Sequence, residues 1–256
     1  ACVAYQLEND DVTLTATEKQ RYARHLSLPE IGATGQSRLK NAKVLVIGAG
    51  GLGSPCTLYL AAAGVGRLGL VDHDVVDLSN LQRQVLFANE DVSLSKTSAA
   101  TKRLSALNPD IEVVAHEIKL TAENILDALR DYDVVVDGTD RVATRYLIND
   151  ACVILGKPLV SAAIHRFEGQ AITYVPGRSA CYRCSFPNAK DSHVPNCADA
   201  GVLGVLPGVM GAIQATEAIK LLTGIGESLS GRLLLWDALT MTTHTIKLTV
   251  DPRSRE

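Results

Sequence analysis

Apolar positions in this chain fall into short unbroken runs, separated by glycine turns and by stretches with helical period. Val44-Leu-Val-Ile47 is followed by Gly48-Ala-Gly-Gly-Leu-Gly53, by an Ala/Leu-rich stretch over 54–65 and by a second apolar run over 67–72 that ends in Asp72. That order predicts a buried strand, a tight turn, a helix and a second buried strand, a βαβ unit whose crossover is right-handed. A helix over 95–107 closed by Asn108-Pro109, a strand over 111–115 and a helix over 122–130 follow. Next come the short strand Asp133-Val-Val-Val-Asp137, a helix that ends at Gly156 and a strand opening at Pro158. Beyond Ser161 the texture changes: 171–175 and 232–237 read as antiparallel strands, and 185–200 as a polar, mobile surface loop. The segment 201–224 is apolar, carries Gly201, Gly204, Gly208 and Gly211, and ends in a helix over 215–222. Upstream, Thr17-Glu-Lys-Gln20 has the spacing of a capping box, which starts a helix carrying Arg21 and Arg24 on one face of an N-terminal helical arm at about 15–40. The fold expected is α/β: a Rossmann-like, mostly parallel sheet continued by antiparallel strands, with helices on both faces, in a single domain over 1–256.

Composition narrows the function. A formal charge of -3, from 25 Lys and Arg against 28 Asp and Glu, gives no positive field to draw in a nucleic-acid backbone or an anionic membrane. Neither partner is expected. Aromatic residues make up only 4%, so the core rests on Val, Leu, Ile and Ala, as in parallel sheets covered by helices. Six cysteines in 256 residues fall far below the density of a secreted disulfide scaffold, and no secretory leader opens the chain, so a reducing cytoplasmic setting is expected. The 23 uncharged residues over 44–66 are long enough to span a bilayer, but six glycines and Pro55 break them into two blocks.

The candidate chemistry starts at that break. Gly48, Gly50 and Gly53 form GxGxxG between a strand and a helix, and Asp72 ends the next strand 19 residues after Gly53. Glycines there let backbone N–H groups approach a phosphate at a helix N-terminus, and the acid accepts from ribose hydroxyls. Asp74, Ser79 and Asn80 in the following loop join the nucleotide-binding candidates, with Arg83 beyond them. Lys96 sits in the first turn of the next helix, where a cation opposes the helix dipole unless an anion lies between; a triphosphate would supply one. Arg83 and Lys96 can clamp phosphate oxygens, each close pair being worth about 4 kcal/mol at ~4 Å in an effective dielectric near ~20. A solvated surface lysine is the alternative for Lys96. Asp140 follows the strand that ends at Asp137 and so should share the carboxyl edge of the sheet with Asp72, placed to bind Mg²⁺. Capping of the next helix, through Asn149, is the alternative.

Six motifs in order resemble the MoeB/ThiF family: Arg21-Tyr-Ala-Arg-His25, Gly48-Ala-Gly-Gly-Leu-Gly-Ser-Pro55, Asp77-Leu-Ser-Asn-Leu-Gln-Arg-Gln84, Asp137-Gly-Thr-Asp140, Phe167-Glu-Gly-Gln170 and Ala200-Gly-Val-Leu-Gly-Val-Leu-Pro-Gly208. The family is related to ubiquitin-activating enzymes and adenylates the C-terminal carboxylate of small ubiquitin-like sulfur carriers in molybdopterin, thiamine or tRNA-thiolation pathways. The resemblance, over about Arg21 to Leu248, implies that Gly51, Asp72, Asn80, Arg83, Lys96 and Asp140 hold ATP and Mg²⁺. It also implies that Arg24 reaches into the partner's site of a homodimer. The reaction implied is attack of a Gly-Gly carboxylate on the α-phosphorus, with release of pyrophosphate. An NAD-dependent oxidoreductase built on the same glycine turn, a non-catalytic half of a heterodimer, and adenylation of a peptide or tRNA instead of a carrier are the competing readings.

The cysteines divide by position. Cys181 and Cys184 have the spacing of half a zinc site, but a closed structural site needs four ligands. In the resembling family a second CxxC near the C-terminus completes the set, and no such pair follows here; either the sequence stops short of it, or this member has no zinc, or His193 or other groups substitute, so Zn²⁺ is a possible cofactor. Cys197 matches the position at which relatives acting on sulfur carriers place a reactive cysteine, and Lys190 or His193 nearby can lower a thiol pKa; an exposed cysteine without chemistry is the alternative, since some relatives perform only adenylation. Cys56 and Cys152 fall in helices and read as small core residues. A chain of this length has no room for an appended sulfur-transfer domain, so a separate sulfur donor is expected.

Overall fold

The computed structural model describes residues 13–189 and 201–249. Its strands are β1 (Lys43–Ile47), β2 (Arg67–Val71), β3 (Glu112–His116), β4 (Val134–Asp137), β5 (Leu159–His165), β6 (Glu168–Tyr174), β7 (Arg232–Asp237) and β8 (Thr242–Lys247). They form one sheet in the order β3-β2-β1-β4-β5-β6-β7-β8. The strands from β3 to β5 are parallel and the last three pairings are antiparallel, as the change of texture after Ser161 predicts.

Alternation along the central strands sorts the core onto two faces. Val44, Val46, Leu68, Leu70, Val134 and Val136 pack under α4 (Gly53–Ala63), α5 (Lys96–Leu107) and the later helix Leu206–Thr223. Leu45, Ile47, Val71 and Val135 pack under α6 (Ile125–Arg130) and α7 (Val142–Leu155). Both faces are therefore dry, which is what parallel strands joined by crossover helices require. Gly156, at φ 62, terminates α7 in the left-handed conformation expected of a helix C-cap.

Three local expectations are corrected. The capping box is Thr15 with Glu18, two residues earlier than Thr17 with Gln20: Thr15 Oγ1 accepts from Glu18 N at 3.2 Å and Glu18 accepts from Thr15 N at 2.7 Å. The arm helix also breaks at Tyr22, leaving α1 (Ala16–Arg21) and α2 (Ala23–Leu26), followed by α3 (Gly32–Asn41). Tyr22 is drawn inward, where Asn108 donates to its hydroxyl at 2.9 Å, and Arg21 turns to Asp110 at 3.2 Å, so Arg21 and Arg24 do not share one helix. After the one-turn helix α8 (Tyr182–Ser185), the helix expected over 215–222 is α9 (Leu206–Thr223), which runs through Gly208 and Gly211. Gly211 serves packing: a Cβ there would lie 2.4 Å from Leu52 O on the crossing helix segment. β8 has no apolar alternation to announce it and is exposed throughout.

Candidate active site

β1 and β4 are neighbours whose connections leave in opposite directions, to β2 on one side and β5 on the other, so a crevice opens at their carboxyl ends. Ile47 and Asp137 lie side by side in register at that edge. Gly48 takes φ 91, a conformation that L side chains rarely adopt, and its N–H donates to Val71 O at 2.8 Å. Gly53 then starts α4 so close beneath the turn that a Cβ would stand 1.8 Å from Gly48 O. No side chain caps α4, whose N-terminus therefore keeps its amide dipoles for an anion. Above these two elements lies a cleft of about 920 Å³ lined by Gly48, Gly50, Gly51, Asp72, Asp74, Asn80, Arg83, Lys96 and Asp140 among others.

Each polar side chain in this cleft is held by a specific partner. Asp72 is buried and accepts from Ala49 N at 2.8 Å and from Asp74 N at 2.9 Å, tying the end of β2 to the glycine turn. Lys96 is not a solvated surface lysine: it is 6% exposed, and its ammonium lies 3.1 Å from Asp74 Oδ2. The anion that its place in the first turn of α5 demands is supplied by Asp74. Arg83 is half-buried and donates to Ser79 O at 3.1 Å, leaving the rest of its guanidinium fork toward the cleft. Asp140 is exposed on the cleft wall, and it does not cap α7, whose N-cap residue is Arg141 and which has no side-chain cap. Asn149 has another task, accepting from Tyr182 N at 2.7 Å. That bond, with Arg183 clamped to Asp150 at 2.6 Å, docks α8 on α7 and sets Tyr182 and Phe186 into the cleft wall.

Other expected residues are not brought together here. The Ser79 backbone and hydroxyl both donate to Asp77, so Ser79 is not a lining residue of the cleft. Gly53 is the packing glycine beneath the turn and does not line it. Arg24 is exposed on α2, away from the cleft of its own chain. Cys181 and Cys184 lie with sulfurs 3.0 Å apart, and burial, with the Cys184 hydrogen bond adding, pushes the Cys181 thiol up. No third His, Cys or carboxylate joins them among the described residues, and His193, the substitute ligand, lies outside those residues. Cys56 and Cys152 are buried and their thiols are pushed far up by burial, which fits core packing. Cys197, Lys190 and His193 lie outside the described residues.

Two cleft residues went unassigned in the sequence. Arg145, buried on α7, donates to Thr139 O at 2.7 Å and braces the turn that carries Asp140, while its Nε has no partner among the described residues. Gln84 is buried beside Gly50, and its Oε1 has no partner among the described residues. Gln84 closes the Asp77–Gln84 motif and was legible as part of it. Arg145 is reached only through the fold, because a lone arginine at the fourth position of a helix has no distinguishing pattern.

A model described as the ThiF family matches residues 22–255. The chain belongs to the ThiF family. Over 245 residues it is 52% identical to the sulfur carrier protein adenylyltransferase of Thermus thermophilus, an alignment covering 93% of this chain and 90% of that one. It is also 52% identical over 244 residues to the probable adenylyltransferase/sulfurtransferase MoeZ of Mycobacterium tuberculosis, where 93% of this chain spans only 62% of the relative. Among solved structures, Escherichia coli MccB with ATP superposes with a TM-score of 0.80 at 25% identity, covering 93% of this chain and 73% of that one. The ThiF family assignment accounts for the order of the six motifs, and the MccB likeness for the mixed sheet with its antiparallel end.

Proposed function

We propose that this ThiF family chain is an ATP-dependent adenylyltransferase for the C-terminal glycine carboxylate of a ubiquitin-like sulfur carrier protein. The observation that carries it is the meeting of Asp72, Arg83, Lys96 and Asp140 around the glycine turn at the switch point of the sheet. A nicotinamide enzyme needs the turn and Asp72 but has no use for two cations and a further carboxylate. A carboxylate oxygen of the carrier bonds to the α-phosphorus as the bond to the bridging oxygen breaks, and pyrophosphate leaves with that electron pair. No general base is needed, since the nucleophile is already an anion. Its difficulty is repulsion from the triphosphate, and Arg83 and Lys96 neutralise that charge before and during departure of the pyrophosphate. Asp140 presents an exposed carboxylate to the cleft, the hard oxygen donor that Mg²⁺ takes. Mg²⁺ bound there supplies further neutralisation of phosphate charge.

The reading extends to a cytoplasmic homodimer in which Arg24 completes the partner's site, to a later sulfur step at Cys197, and to a separate protein as sulfur donor. The match with relatives named for sulfur carriers and sulfur transfer supports the carrier as acceptor and a later sulfur step. ATP–pyrophosphate exchange with Mg²⁺ and a panel of small proteins ending in Gly-Gly tests the proposal. Exchange should require one such carrier, and Lys96→Ala or Asp140→Ala should lower it at least ~10²-fold. Cys197→Ala should leave exchange intact and block only carrier thiolation. Absence of exchange with every carrier, or exchange driven by a peptide alone, would overturn the acceptor; tight NAD binding without ATP binding would overturn the reaction.

A further inference from the structure

Lys96 and Asp74 form an unequal pair. The lysine side chain keeps 8% of its surface exposed and the aspartate 58%, although their charged atoms are 3.1 Å apart. A buried ammonium without a counter-anion is unfavourable, so Lys96 must always be paired; the exposed carboxylate is free to turn to water. The backbones do not move with it: Lys96 N donates to Asp74 O at 3.0 Å, Asp74 N donates to Asp72 at 2.9 Å, and Val75 bridges to Ser95. His73 Nε2, 3.7 Å from the other Asp74 oxygen, offers that carboxylate a second resting place.

We propose that Asp74 is a positioning residue, the placeholder anion for Lys96. It holds the ammonium where a phosphate oxygen is to be bound, gives it up when the triphosphate enters, and takes it back as pyrophosphate departs. No bond is made or broken; one ion pair is exchanged for another. The proposal rests on the reading of the cleft as an ATP site and adds that Asp74 competes with ATP and pyrophosphate for one cation. Asp74 therefore weakens ground-state nucleotide binding and speeds product release.

The test is calorimetric binding of Mg-ATP without any carrier, together with pyrophosphate inhibition of exchange. Asp74→Asn should tighten both ATP and pyrophosphate about three- to tenfold, with a fall in exchange rate at saturating ATP. Asp74→Glu should restore the parent's affinity, and the double variant Asp74→Asn/Lys96→Ala should bind ATP as Lys96→Ala alone. ATP affinity in Asp74→Asn that is unchanged or weaker overturns the proposal, and weaker binding recovered by raised Mg²⁺ assigns the carboxylate to the metal. Because the binding arm contains no carrier, a wrong acceptor leaves it untouched, whereas a parent protein that binds no ATP overturns the function itself.

Discussion

The parallel and antiparallel parts of this sheet are built under different constraints. In β1, β2 and β4 nearly every residue is buried, because helices cover both faces; in β8 every residue is exposed. Every strand of the parallel part delivers its carboxyl end to the same edge, which is why Gly48, Asp72, Asp137 and their loops converge there. The antiparallel part has no such edge. It serves the cleft from the side, where Ala163, Gln170 and Leu235, cross-strand neighbours on β5, β6 and β7, line its outer end. Chemistry thus sits where the chain tolerates least change, and the outer wall where it tolerates most.

That contrast can be broken in four ways. Gly53→Ala forces a methyl against a backbone carbonyl and should cost about 4 kcal/mol or more in denaturant unfolding, with loss of ATP binding. Leu45→Ala opens a cavity in the central strand and should cost about 3 kcal/mol with the cleft chemistry retained. Acidification should loosen the parallel edge first. Burial, with Arg67 adding, holds the His116 imidazole below its ordinary 6.5, so its contribution is present above that pH and is lost as pH falls through the lower folded value. Asp237, on the antiparallel β7, is held below 3.8 by the Leu239 amide and the Thr240 hydroxyl, so its contribution persists until far more acid pH. Hydrogen exchange compared at about pH 7 and about pH 5 should therefore show protection lost in β3 and kept in the β7–β8 hairpin. Equal loss in both would contradict the contrast. The smallest effect is expected of Ile246→Ala on β8, under about 0.5 kcal/mol; a larger loss would mean that this exposed strand is covered in the assembled protein.

Strong periodicity made the inner elements legible, and its absence hid the outer ones. The glycine turn, α5, β4 and the αL stop at Gly156 were all readable because each couples a run of one period to a residue with special backbone needs. The two-helix arm was not, because the break at Tyr22 comes from a contact with Asn108 far along the chain. The reach of α9 was hidden because its first turns carry Gly208 and Gly211, of which Gly211 serves close packing against the start of α4.

By itself the sequence determined the βαβ nucleotide turn, the order of the inner strands and helices and the set of ionisable residues spaced along them, since local period and backbone permissiveness are carried by neighbouring residues. Only the tertiary structure decided which of those residues meet: Arg145 and Gln84 entered the cleft, Ser79 and Gly53 left its lining, and Lys96 acquired Asp74 as its anion. Ion pairs and burial depend on groups brought together across the sheet edge, and no spacing along the chain encodes that distance.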